Sequence, residues 1–94
     1  MQRVNLKDLG KYGLIRPGDV LIWRRSGESK IYEVVVTQKF LLEAEDFCFR
    51  TPSQAAKFFN GDKPVNGWLV WKLRGQHLSL DNLRSKLNTI GHSD

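Results

Sequence analysis

The chain holds one cysteine among 94 residues, Cys48, so no internal disulfide can hold it together and its stability must come from packing. In the apolar triplet Phe47-Cys48-Phe49 that thiol reads as a small buried side chain. The two histidines, His77 and His92, have no cysteine or acidic residue at metal-ligand spacing, which argues against a metal site and leaves them as solvated surface groups. No GxxxxGK[ST] loop is present to grip a phosphate, and no cofactor is expected. No run approaches the roughly 20 apolar residues needed to span a bilayer. The N-terminal MQRVNLKDLGKYG lacks the apolar run and small-residue cleavage site of a secretory signal, so a cytoplasmic location is expected. Asp62 and Asp81 do not make a nuclease pair, because both stand beside predicted helix ends, where Asp81 is explained by the favourable helix dipole.

What is abundant is positive charge. The formal net charge is +5 and the pI about 9.7. From Arg50 to Lys86 the basic residues Arg50, Lys57, Lys63, Lys72, Arg74, Arg84 and Lys86 face only Asp62 and Asp81, while Glu43, Glu45 and Asp46 cluster just upstream. Such a field suits a polyanionic partner, although lysines and arginines also serve simply to keep a small protein soluble.

The length fits one domain over 1–94, with a core from about 6 to 88 and a frayed tail at 90–94. Asn5 and Asp8 can cap a helix over 6–12, with Val4 and Leu9 as a hydrophobic staple and Gly13 as its left-handed stop. Pro17-Gly18 suits a type II turn. Segments 19–25 and 30–37 read as a hairpin around Ser26-Gly27-Glu28-Ser29, with Tyr32, Val34 and Val36 on one face and Ile31, Glu33, Val35 and Thr37 on a less buried one. FLLEAE (40–45) and FCF (47–49) continue an antiparallel meander, Phe40, Leu42 and Ala44 alternating against Leu41, Glu43 and Glu45. Thr51, Pro52, Gln54 and Gly61 bracket a helix over 52–60, for which Ala55, Phe58 and Phe59 form the predicted buried stripe. Ser79 caps a helix over 80–89, with Leu78 and Leu83 as its staple and Leu80, Leu83 and Leu87 along one side. The fold class is therefore α+β: a small antiparallel sheet with about three short helices.

The stretch VNGWLVWKL (65–73) raises the functional question. Asn66-Gly67 marks a tight turn with positive φ, and WLVWKL has the composition of a strand. Alternation then sends Leu69, Trp71 and Leu73 inward and Trp68, Val70 and Lys72 outward. Trp68 either meets a partner, beside turn amides that form an anion-binding nest, or covers a helix flank with its indole N–H on a carbonyl. On the first reading Trp68→Ala leaves the thermal midpoint nearly unchanged.

FRTPSQAAKFFNGDKPVNGWLVWKL followed by LSLDNLRSK, with the upstream YGLIRPGDVL, resembles the restriction-enzyme adenine methylase associated (RAMA) domain over about residues 6–86. The resemblance implies a DNA-associated module that holds the duplex or, in some members, senses adenine methylation. Ser53 matches the helix-start serine, Asn66 and Trp68 the NGW block, and Arg84 the late arginine. Arg50, Lys72 and Arg74 join Arg84 in a candidate cationic ring on charge alone, with the first turn of the 52–60 helix offering amides to phosphates and Asn66 a donor and acceptor to a base edge. A methyltransferase's glycine-rich cofactor turn and Asn-Pro-Pro-aromatic site are both missing, so the chain is not expected to be an enzyme. Double-stranded DNA is the expected partner. The rival reading is a protein-interaction module that recruits a methylase, nuclease or signalling partner, with Trp68 as a buried anchor.

Overall fold

The computed structural model describes residues 4–25 and 27–91, with side chains through residue 87. Asn5 opens α1 (Leu6–Lys11) with a full capping box: its Oδ1 accepts from Asp8 N at 2.9 Å, and Asp8 Oδ2 accepts from Asn5 N at 3.0 Å. Gly13, at φ 75°, closes the helix in a Schellman arrangement, Leu14 N donating to Leu9 O at 2.9 Å and Gly13 N to Gly10 O at 3.0 Å. The Pro17-Gly18 turn forms as expected, with Gly18 at φ 95° and Asp19 N donating to Arg16 O.

Four strands then follow as a meander: β1 (Val20–Arg24), β2 (Ile31–Val36), β3 (Leu42–Ala44) and β4 (Phe47–Phe49). α2 (Pro52–Phe59) and α3 (Gly67–Val70) carry the chain back to β5 (Lys72–Leu73), which pairs antiparallel with β1, and α4 (Leu80–Gly91) ends the description. The sheet order is β4-β3-β2-β1-β5. The α+β architecture is as predicted, with one more helix than the sequence suggested.

Alternation along the sheet sorts its two faces. Leu21, Val34, Val36, Leu42, Ala44 and Leu73 point to the helices and are buried. Leu6, Leu9, Ile15, Ala55, Ala56, Trp71, Leu80, Leu83 and Leu87 complete that core from the other side. Ile31, Glu33, Val35, Glu43, Cys48 and Lys72 lie on the opposite face and are exposed. One chain of aromatic contacts threads the layers, from Phe47 and Phe49 through Phe58, Phe59 and Tyr32 to Trp23 and Trp71.

Several expectations are corrected. Cys48 is exposed, because Phe47 and Phe49 take the inward positions of β4 and alternation turns the thiol outward. Phe40 is not in a strand; it occupies a turn at φ 60°, its ring packed against Gly10, where a Cβ would overlap it. Phe58 is 37% exposed, and Pro52, Ala55 and Ala56 form the buried side of α2. α4 runs to Gly91, past the expected end at 89, while residues 92–94 of the predicted tail, with His92, lie outside the described residues, as does Ser26 of the hairpin. The largest departure is at 66–71, where a helical turn replaces the predicted strand.

Candidate nucleic-acid interface

Asn66 creates that helical turn. Its φ is −76°, not the positive value expected of an Asn-Gly turn, and its Oδ1 accepts from Trp68 N at 3.0 Å as an N-cap. Leu69 N and Trp71 N donate back to Asn66 O and Gly67 O, so Gly67–Val70 coil once before the strand begins. The coil undoes strict alternation. Leu69, predicted inward, is 55% exposed, whereas Trp71 and Leu73 are buried as predicted.

Gly67 lies directly against the start of α2. A Cβ at this position would overlap the Pro52 carbonyl and the Ser53 N, so only glycine permits the approach. Two further bonds fasten the junction: Gly67 N donates to Ser53 Oγ at 3.0 Å, and Trp71 Nε1 donates to Pro52 O at 3.0 Å. Thr51 Oγ1 accepts from Gln54 N at 3.1 Å, and Gln54 Oε1 accepts from Arg50 N at 3.0 Å, one residue upstream of where a capping box would close. Thus the amides that the sequence offered as an anion nest are spent within the fold. Gly67 N is held by Ser53, Trp68 N by Asn66 and Gln54 N by Thr51, while Gly67 covers Ser53 N.

Beyond the junction, α3 meets α4. Trp68 is half-buried, with one flank on the core and the Arg84 guanidinium 4.5 Å from its ring centroid. Arg84 Nη2 also donates to Asp81 Oδ1 at 2.6 Å, with the two side chains 33% and 36% exposed. Ser79 starts α4, its Oγ accepting from Asn82 N and its N donating to Asn82 Oδ1, which fixes the helix phase that puts Asp81 and Arg84 on one side. A family model matches residues 1–90 of the chain. The chain belongs to the Restriction Enzyme Adenine Methylase Associated (RAMA) family. No curated protein matches it.

Of the RAMA signature residues named from the sequence, Ser53, Asn66, Trp68 and Arg84 are brought together where α2, α3 and α4 meet. The remaining three candidates are not gathered with them into one ring. Arg50 is exposed just before α2. Lys72 lies level with Ile22 and Glu33 on the open face of the sheet, and Arg74 pairs with Glu33 at 3.7 Å on that same side. A groove of about 470 Å³ also opens by Arg74, lined by Arg16, Gly18 and Asp19 among others.

Asp81 joins this cluster through its ion pair with Arg84, and from sequence it reads only as a helix-end carboxylate. Its spacing of three from Arg84 on a predicted helix was the available signal, since residues so spaced are surface neighbours. No group of three or more histidine, cysteine or acidic residues is placed to hold a metal among the described residues.

Proposed function

We propose that this RAMA domain is a non-catalytic module that binds duplex DNA through the rim formed by Trp68 and Arg84, with Arg50 and other outward cations contacting phosphates. The observation that carries the reading is the Arg84 guanidinium stacked on a half-buried indole, at the convergence of the family's signature residues. Stacking holds the guanidinium in place while leaving most of its five N–H donors for a phosphate or a guanine edge. The exposed flank of Trp68 and the neighbouring Leu69 give an apolar surface of the kind that accepts a sugar or a base methyl. On that surface rests the further reading that adenine methylation alters affinity.

The bonding at the junction narrows the set of candidate DNA contacts. Ser53 and Asn66 act in this reading as positioning residues for Trp68, and phosphate contact falls to side-chain cations instead of helix-end amides. Lys72 and Arg74, on the open sheet face, serve as secondary contacts or face a protein partner such as a methylase or nuclease. The exposed Ile31 and Val35 on that face favour the second role.

The test is titration of a labelled duplex, unmethylated and N6-methyladenine-containing, against the native domain and Arg84→Gln over a range of salt. With about four phosphates neutralised, the log–log slope is near −3.6, and Arg84→Gln reduces its magnitude by roughly one unit. Equal affinity for an acidic non-nucleic polymer, or an unchanged slope in Arg84→Gln, rejects the assignment.

A further inference from the structure

β4 is the terminal strand of the sheet, paired with β3 and, among the described residues, with no strand on its other side. The hairpin joining the two has a two-residue loop, Glu45-Asp46, so its flanking pair, Ala44 with Phe47, is the hydrogen-bonded one. Antiparallel pairs alternate, which makes Glu43 with Cys48 the non-bonded pair and turns the Cys48 N–H and C=O to the open edge. Edges of this kind are templates for another strand.

The sequence along the edge has a symmetry of its own. Asp46-Phe47-Cys48-Phe49-Arg50 reads acid, phenylalanine, thiol, phenylalanine, base. Among the described residues, neither the Asp46 nor the Arg50 side chain is in an ion pair, and both residues are exposed. Phe47 is 51% exposed and Phe58 37% exposed, although their ring centroids are 4.9 Å apart. The aromatic cluster is therefore left open on the side where the sheet stops.

We propose that two copies of this chain associate through β4, antiparallel and centred on Cys48, so that the sheet continues across a two-fold axis. In that register Asp46 of each copy faces Arg50 of the other, and Phe47 faces Phe49, each twice. Sliding the strands by two residues in either direction removes both charge pairs, and parallel pairing sets Asp46 against its own copy. The edge charges thus select one arrangement, as register devices do. The exposed Phe47 and Phe58 rings are covered by the phenylalanines of the second copy, and the two Cys48 backbones exchange the hydrogen bonds that the edge leaves open. A bonded antiparallel pair has its Cα atoms about 5.5 Å apart, within the range a disulfide spans, so Cys48 is a reporter of the register. This inference is independent of the DNA reading.

Sedimentation equilibrium from micromolar to submillimolar protein tests it, using the native chain, Asp46→Arg, Arg50→Asp and an equimolar mixture of the two variants. Each variant sets like charges opposite one another twice, whereas the mixture restores two opposite-charge pairs in a heterodimer. The native chain is expected to dimerise, each variant to weaken association by roughly tenfold or more, and the mixture to recover it. Far-UV circular dichroism checks that the variants remain folded. As a second readout, diamide takes up the two thiol hydrogens on forming a Cys48–Cys48 bond, and native protein should crosslink faster than either variant at equal concentration. A native chain that stays monomeric throughout, variants that associate as tightly as native, a mixture no tighter than its components, or equal crosslinking rates would each overturn the proposal.

Discussion

Trp71 and Trp68 are three residues apart, and the regions around them use polar groups in opposite ways. Around Trp71, the indole N–H, the Gly67 N–H and the Ser53 hydroxyl all find partners inside the chain, and the ring is fully buried. Around Trp68, the charged groups of Arg84 and Asp81 are partly solvated and satisfied largely by each other. Closed bonding of the first kind specifies one geometry and offers nothing to a ligand; the second kind can exchange partners at small cost, because partly exposed ion pairs contribute only about 0–1 kcal/mol. The contrast separates two kinds of bonding at one junction: Ser53, Asn66 and Gly67 build the turn, and Trp68 with Arg84 forms its partly solvated rim.

The largest effects should therefore arise inside the junction. Gly67→Ala forces a methyl group into the Pro52 backbone, where no flexible side chain can yield, and is expected to cost about 3 kcal/mol or more. Trp71→Ala empties a core position and is expected to cost roughly 3–5 kcal/mol. Urea denaturation of both variants measures this. If either loses less than about 1 kcal/mol, the close contact of Gly67 and Trp71 with Pro52 is not what holds the junction.

Ser53→Ala leaves the Gly67 N–H without its acceptor and should cost about 1–3 kcal/mol. Trp68→Ala falls in the same range, about 1–2 kcal/mol, because only one flank of the ring contributes to burial. The midpoint should thus drop measurably, against the expectation of near-constancy drawn from strand alternation. Functionally the two should differ: Trp68→Ala weakens duplex binding beyond what its stability loss explains, and Trp68→Phe recovers most of both. Ser53→Ala retains affinity wherever the domain is folded. Equal loss of affinity in both at a temperature where each is fully folded would merge the two regions into one.

The structure also shows where sequence is a sufficient guide. The caps at Asn5, Thr51 and Ser79 and the stop at Gly13 are local chemistry, complete within a few residues, and they predicted α1, α2 and the start of α4. The alternation of β2 likewise sorted Tyr32, Val34 and Val36 from Ile31, Glu33 and Val35. At 66–73 local chemistry was ambiguous. Asn-Gly serves as a turn or a cap, and four apolar residues in a row carry no period with which to tell a helical turn from a strand. What decides is Gly67 against Pro52, a contact fifteen residues apart in sequence that no local pattern encodes. The same holds for the site: the grouping of Ser53, Asn66, Trp68 and Arg84 came with the resemblance, but the engagement of the first two side chains in bonds to backbone amides of α3 is a property of the assembled fold.

The smallest predicted effect on stability is the most informative on function. Asp81 neutralises Arg84 at 2.6 Å and lies in the first turn of α4, where a carboxylate favours the helix by a few tenths of a kcal/mol. Asp81→Asn should lower stability by about 0.5 kcal/mol or less, since the amide keeps an acceptor for Arg84 and loses only charge. If the rim binds phosphate, removing that charge raises the net positive field and frees Arg84, so duplex affinity should rise several-fold at low salt, with a steeper salt dependence. If instead the rim docks an acidic protein, the gain appears with that partner and is shared by any polyanion. Should affinity fall, Asp81 would itself be a contact, accepting from a base amine as carboxylates do from cytosine, and the guanidinium–indole pair would be a support for it instead of the reading head.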